Sequence, residues 1–244
     1  MRILGIDTAI PMASIALLDN GDLIAEETVS KPCPKGSPGQ PLGNHAAVIL
    51  PLIQALFQKT GSTIQELAAI AVSIGPGSFT GLRIGLATAK GIAYESGIPL
   101  VGVSTLHAHA ARFEHFDGLV GSVFDARKGE VYMALFSSDP TGVSRLTPDA
   151  LLSVNSAINL LREFYHGHRA LLLTGTGAQA HERQLLEAFG APLRIYKEES
   201  CGPTTASQVA RLGRYRLMAG SMDEIDGLTP VYLRICEAES KRKI

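Results

Sequence analysis

The first thirty residues alternate short apolar runs with turn residues: RILGID at 2–7, MASIALLD at 12–19 and DLIAEETVS at 22–30, broken at Ile10-Pro11 and Asn20-Gly21. Runs of this length joined by Asn-Gly, whose two residues tolerate positive φ, predict an antiparallel meander. KPCPKGSPGQPLGN at 31–44 is dense in Pro and Gly and reads as an irregular loop. From Asn44, a candidate N-cap, to Gly61, a candidate stop, the pattern predicts a helix too continuously apolar for one buried stripe, kinked at Pro51. LAAIAVSIG (67–75) and PLVGVS (99–104) predict buried strands, and FTGLRIGLATAKGIAYESG (79–97) between them predicts a helix. A meander followed by helix, strand, helix and strand is an α/β module with its helices on the sheet.

The second half repeats this pattern. LVGSVFDARKGEVYMALF (119–136) lies on ILGIDTAIPMASIALL (3–18) with Asp125 matched to Asp7, and Ala134-Leu135 then falls on Ala16-Leu17 without a gap. After a predicted helix over 148–165 (PDALLSVNSAINLLREFY), LLLTGTGA (171–178) echoes IAVSIGPGS (70–78), so Gly175 and Gly177 answer Gly75 and Gly77. The expectation is two copies of one α/β unit, at 1–107 and 108–244, with a final helix able to pack back on the first lobe. A duplicated meander with an Asp closing each first strand resembles the two-lobe actin-like ATPase fold (ASKHA, RNase H-like). In that superfamily those aspartates and glycine turns face a cleft holding a metal-bound nucleotide, but chemistry has to be argued separately from fold.

Composition narrows the partners. The 244 residues are 45% hydrophobic with net charge −1, and Lys and Arg are scattered until KRK at 241–243, which excludes strong independent binding to nucleic acid. The charged fraction of 18% is below the roughly 25% of an average soluble protein, leaving apolar surface for a partner. Cys33, Cys201 and Cys236 are odd in number and widely spaced, which disfavours a disulfide framework. Asp7 is incompatible with a signal-peptide core and no apolar run approaches the ~18 residues of a membrane span, so a cytoplasmic protein is expected.

Residues 73–85, SIGPGSFTGLRIG, pose the main chemical question. A Walker loop fails because Gly81 is followed by Leu82 and Arg83 and preceded at the required distance by Pro76. The dinucleotide pattern starts at Gly75 and Gly77 but places Thr80 where its third glycine belongs. A strand-to-helix turn can still attract an anion weakly. The alternative is geometrical: Gly81, Gly85 and Ala89 recur every four residues, so one helix face lets another backbone approach, either the parent sheet or a second protein. Phe79, Arg83, Leu86 and Lys90 would then supply anchors and charge.

The enzyme templates fail at their second residue. His45 would need a ligand partner four positions on, where Ile49 stands; His107 and His109 face different ways, and His166 and His168 flank a glycine. Ser78 is not in a nucleophile elbow, since Thr80 replaces its glycine, and Cys33 has no evident base. Asp7 and Asp125 suit either Mg²⁺ ligation or ordinary turn formation.

Five segments together, ILGIDTA (3–9), GPGSFTGLRIG (75–85), GVSTL (102–106), FDARKGEVY (124–132) and PVYLR (230–234), resemble the bacterial TsaB family, formerly YeaZ, nearly end to end. The resemblance implies a non-catalytic member of the actin-like superfamily, without cofactor or metal. It pairs with its paralogue TsaD and works with the ATPase TsaE, attaching threonylcarbamoyl to the adenosine beside the anticodon; tRNA is met only through the complex. It also implies that the helices at 45–59 and 79–95 form the contact with TsaD, or with a second copy when the chain is alone. The interface residues it points to are His45, Ile49, Ile53, Phe79, Gly81, Arg83, Gly85, Leu86, Ala89 and Lys90. The 31–44 loop is longer than the family's usual link into the first helix. The competing expectation is an ATP-dependent phosphotransferase or metallopeptidase of the actin-like class, against which the missing second histidine counts.

Overall fold

The computed structural model describes residues 1–30, 45–167, 170–197 and 205–234, which fall into two compact units, Met1–Arg112 with Glu198–Pro230, and Phe113–Lys197 with Val231–Ile244. The loop at 31–44, its candidate cap Asn44, all three cysteines and His168 lie outside the described residues.

In the first unit β1 (Arg2–Asp7), β2 (Met12–Asp19) and β3 (Asp22–Ser30) form the predicted meander. Asn20 and Gly21 make its tight turn with φ of 53° and 102°. α1 (His45–Thr60) continues through Pro51. β4 (Leu67–Gly75) then pairs parallel with β1. α2 (Phe79–Ser96) opens on Ser78, whose Oγ accepts from the Gly81 amide, and closes on Gly97 at φ 67°. β5 (Leu100–Ser104) and α3 (Thr105–Ala110) complete the order β3-β2-β1-β4-β5.

The second unit repeats the plan: β6 (Gly118–Asp125), β7 (Glu130–Asp139), β8 (Gly142–Arg145) and β9 (Ala150–Ser153) precede α4 (Val154–Phe164). β10 (Ala170–Thr174), α5 (Thr176–Ala180), α6 (Glu182–Phe189) and β11 (Leu193–Tyr196) follow. Its order, β11-β10-β6-β7-β8, is the first sheet's order in the equivalent strands, with β9 added beside β7. That added strand corrects the helix expected over 148–165. Ala150–Ser153 is spent pairing with Glu130–Met133, and Ser153 caps a shorter helix by accepting from the Ser156 amide at 3.1 Å. Helical periodicity did not see the cross-strand partner.

The last helix, α7 (Ala206–Met218), belongs to the first unit. It covers the sheet face opposite α1 and α2, so that Ile3, Ala16, Leu18, Ala69 and Ala71 pack under Ala206, Val209 and Ala210. Leu4, Ile6, Ile15, Leu17, Ile49, Ile53, Leu56, Leu86 and Ala89 fill the other side. α7 sits close because two glycines permit it: a Cβ on Gly5 would stand 2.2 Å from the Ala206 carbonyl oxygen, and one on Gly213 2.4 Å from Ala71 Cβ. A separate core around Leu119, Met133, Leu135, Ile158, Leu161 and Leu173 holds the second unit.

Candidate functional site

β1 ends on Asp7 because the strand must turn there, and the turn buries the carboxylate completely. Asp7 Oδ1 accepts from the Ala9 amide at 2.8 Å and from Ser73 Oγ at 2.6 Å, while Oδ2 accepts from Thr205 Oγ1 at the start of α7. Three donors from three parts of the unit compensate the buried charge without a cation. Beside it, Thr8 Oγ1 donates to the Gly81 carbonyl at 2.7 Å, and the Ser78 amide donates to the Ala9 carbonyl at 2.7 Å. The strand end, the glycine turn and α2 are therefore one hydrogen-bonded knot.

Within that knot the small-residue row finds its neighbour. A Cβ on Gly81 would lie 1.9 Å from the Thr8 carbonyl oxygen, one on Gly85 2.2 Å from Thr8 Oγ1, and one on Gly77 2.4 Å from the Ala9 carbonyl oxygen. Ala89, Leu86, Ile49 and Ile53 are buried in the unit's own core. The second-protein reading of Gly81, Gly85 and Ala89 is thus corrected: the backbone they admit is that of β1's end in the same chain. Lys90 is also engaged within the unit, donating to the Asp226 carbonyl at 3.1 Å. His45 begins α1, but its side chain lies outside the described residues.

What α2 leaves outward is the neighbouring row, Arg83, Ala87 and Gly91, flanked by Phe79, Thr80 and Tyr94, the last 75% exposed. The Arg83 guanidinium stands 3.8 Å from the centre of the Phe79 ring. α1 packs beside α2 and adds exposed Leu50, Pro51, Gln54 and Ala55. A shallow groove of about 440 Å³ runs along α1, lined by Leu50, Ile53, Gln54, Phe57, Ile64 and Ile92. Of the ten anticipated residues, Phe79 and Arg83 lie on this outward face and Ile53 borders its groove. Leu50, Ala87, Gly91 and Tyr94 were missed, although the spacing of Arg83, Ala87 and Gly91 repeats the four-residue signal one position pair away.

Asp125 occupies the matching strand end of the second unit in different surroundings. Its side chain is 33% exposed, accepts from the Arg127 amide at 2.8 Å, and has Arg127 Nε at 4.0 Å. Its own amide donates to Thr176 Oγ1 at 3.1 Å, and Gly177 closes onto Phe124 as Gly77 closes onto Ala9. Arg127, Lys128 and Gly129 all take positive φ in the hairpin that follows, and Arg234 Nη2 reaches Glu130 Oε2 at 2.5 Å, joining the PVYLR and FDARKGEVY segments.

Asp7 does not present an open carboxylate to a metal-bound nucleotide as it stands. Asp7 has its oxygens occupied by the chain's own donors, and no group of three or more His, Cys, Asp or Glu comes together among the described residues. His109 is buried with its Nε2 3.2 Å from Arg112 Nη1, and His166 is exposed. No helix among the described residues is long and apolar enough to cross a membrane.

Comparison with known proteins supplies the family. The family model for "TsaD: tRNA N6-adenosine threonylcarbamoyltransferase" matches residues 38–218. The tRNA threonylcarbamoyladenosine biosynthesis protein TsaB of Bacillus subtilis is 34% identical over 242 residues, covering 99% of this chain and 97% of that one. Among solved structures, YeaZ from Pseudomonas aeruginosa superposes with a TM-score of 0.72 at 25% identity, over 95% of this chain and 99% of that one. The ROK hexokinase of Thermus thermophilus shares the fold at a TM-score of 0.51 and 14% identity, over 90% of this chain and 100% of that one.

Proposed function

We propose a docking role from one premise: the chain belongs to the TsaB (YeaZ) family of the actin-like superfamily and acts in tRNA threonylcarbamoyladenosine biosynthesis. In this reading it is a non-catalytic subunit that pairs with the transferase TsaD, works beside the ATPase TsaE, and meets tRNA within that assembly in the cytoplasm. The observation that carries the non-catalytic part is the closure of Asp7. Where an actin-like enzyme directs a carboxylate at its nucleotide, this chain turns it onto Ser73, Ala9 and Thr205, all within one unit. A carboxylate so engaged fixes α7 and the glycine turn in place, and both of its oxygens are buried and already bonded to the chain's own donors.

The surface proposed for TsaD is the outward side of α1 and α2. Ala87 and Gly91 leave room for a partner helix to approach, and Leu50, Phe79 and Tyr94 offer apolar and aromatic anchors with Arg83 at the edge. In the absence of TsaD the same face would pair with a second copy. The test is co-elution of the purified chain with TsaD, followed by a tRNA threonylcarbamoylation assay with TsaE, with and without this chain. Co-elution and dependence of modification on the chain are expected. Robust ATP hydrolysis or peptide cleavage by the chain alone would overturn the reading.

A further inference from the structure

α7 carries three arginines, and among the described residues only Arg216 is hydrogen-bonded. Arg216 Nη1 and Nη2 donate to the two carboxylate oxygens of Asp223 at 2.9 and 3.2 Å, and Nη1 also reaches the Gly102 carbonyl at 2.6 Å. Arg211 and Arg214 make no hydrogen bond or ion pair with any described residue, and their Nε atoms are shielded from solvent without an acceptor. The Arg214 guanidinium lies against the β2–β3 turn, about where a side chain at Gly21 would be met at 3.6 Å, yet Asp22 in that turn forms no ion pair with it. Of the neighbouring carboxylates, Asp19 is held by Met1 and Arg2, and Glu26 by Ser207.

Beside these arginines lie exposed apolar and aromatic side chains. Tyr215 is 59% and Met218 63% exposed, and the spacing of Arg211, Arg214, Tyr215 and Met218 places all four on one helix face. The register pairs Leu23 with Leu18, which packs under α7, so Leu23, 45% exposed, borders the same patch from the strand side. Guanidinium groups without counter-ions are stabilised by an anionic acceptor, and a planar fork beside an exposed tyrosine suits phosphate oxygens with an adjacent base.

We propose that this α7 face is a phosphodiester contact for tRNA, made by Arg211 and Arg214 with Tyr215 as the stacking surface. It lies on the sheet face opposite the α1–α2 surface, so one chain can hold a protein partner and touch RNA together. With two arginines and a near-neutral chain, the contact is weak alone and adds to contacts made elsewhere in an assembly. It rests on the chain's place in tRNA modification, and its test needs no partner protein.

The full chain alone is titrated against unmodified tRNA by fluorescence anisotropy across a series of salt concentrations, with thermal melts of every variant. Wild type should bind at low salt. R211E/R214E should bind at least ~10-fold more weakly, with the slope of log affinity on log salt shallower by about 2, since each phosphate contact contributes about 0.9. R211K/R214K should keep most of the salt slope, and Y215A should weaken binding several-fold without changing it. Melting should be unchanged throughout, because the two arginines make no ion pair with any described residue. Absence of wild-type binding at low salt, or equal binding by R211E/R214E, overturns the proposal. Unchanged tRNA binding with loss of binding to a poly-glutamate probe would overturn it in favour of an acidic protein partner.

Discussion

Asp7 and Asp125 close the first strands of two sheets built in the same order, each followed across the sheet by a glycine turn that packs onto the strand end. In the first unit the carboxylate is sealed under α7 and bound by three donors; in the second it is one-third exposed and accepts from the next turn's backbone. The backbone plan was kept and the surroundings were not. Burial decides which aspartate the fold depends on: a charge inside the protein is tolerable only while every donor stays, whereas a half-exposed one can turn to water.

The largest expected effect follows at once. Asp7→Asn should lower stability by about 3–5 kcal/mol, because the new NH₂ faces hydroxyl donors and the charge that held them is lost. Thermal denaturation would report this as a fall of roughly 6–20 °C for a chain of this size. A melt within a degree or two of wild type would show that the buried network is dispensable.

Next in size is Gly85→Leu, which drives a side chain into Thr8 and should cost about 1–3 kcal/mol or more of monomer stability, read by urea unfolding. Gly91, on the same helix with nothing within 4 Å of an added Cβ, sharpens the contrast. Gly91→Ala should raise stability by about 0.5–1 kcal/mol through helix propensity. Equal responses at the two positions would return the Gly81, Gly85 and Ala89 row to the surface. The smallest effect belongs to Asp125→Asn, expected within about 0.5 kcal/mol, since the amide oxygen can still accept from Arg127.

Much of this contrast was legible in the residues. The meander, the Asn20-Gly21 turn, both buried strands of the first unit and the alignment of Asp125 on Asp7 follow from local pattern and spacing, which are properties of neighbouring residues. The strand at Ala150–Ser153 was misread because its identity comes from pairing with Glu130–Met133. The closure of Asp7 was unreadable for the same reason on a larger scale: Thr205 lies 198 residues away and Ser73 66. The glycine row was seen correctly as a close approach, but spacing cannot say what approaches. Only the position of Thr8 turns Gly81 and Gly85 inward and leaves Ala87, Gly91 and Tyr94 outside.

The claim that this chain contributes a docking surface and not chemistry is tested most directly by the rate of tRNA threonylcarbamoylation with TsaD and TsaE present, comparing wild type with Asp7→Asn below the variant's melting temperature and with complex formation confirmed by co-elution. The account predicts rates within about 3-fold, because Asp7 holds the fold and touches no reacting group. A loss above ~100-fold in the intact complex, corresponding to nearly 3 kcal/mol of transition-state stabilisation, would place Asp7 in the chemistry and contradict it.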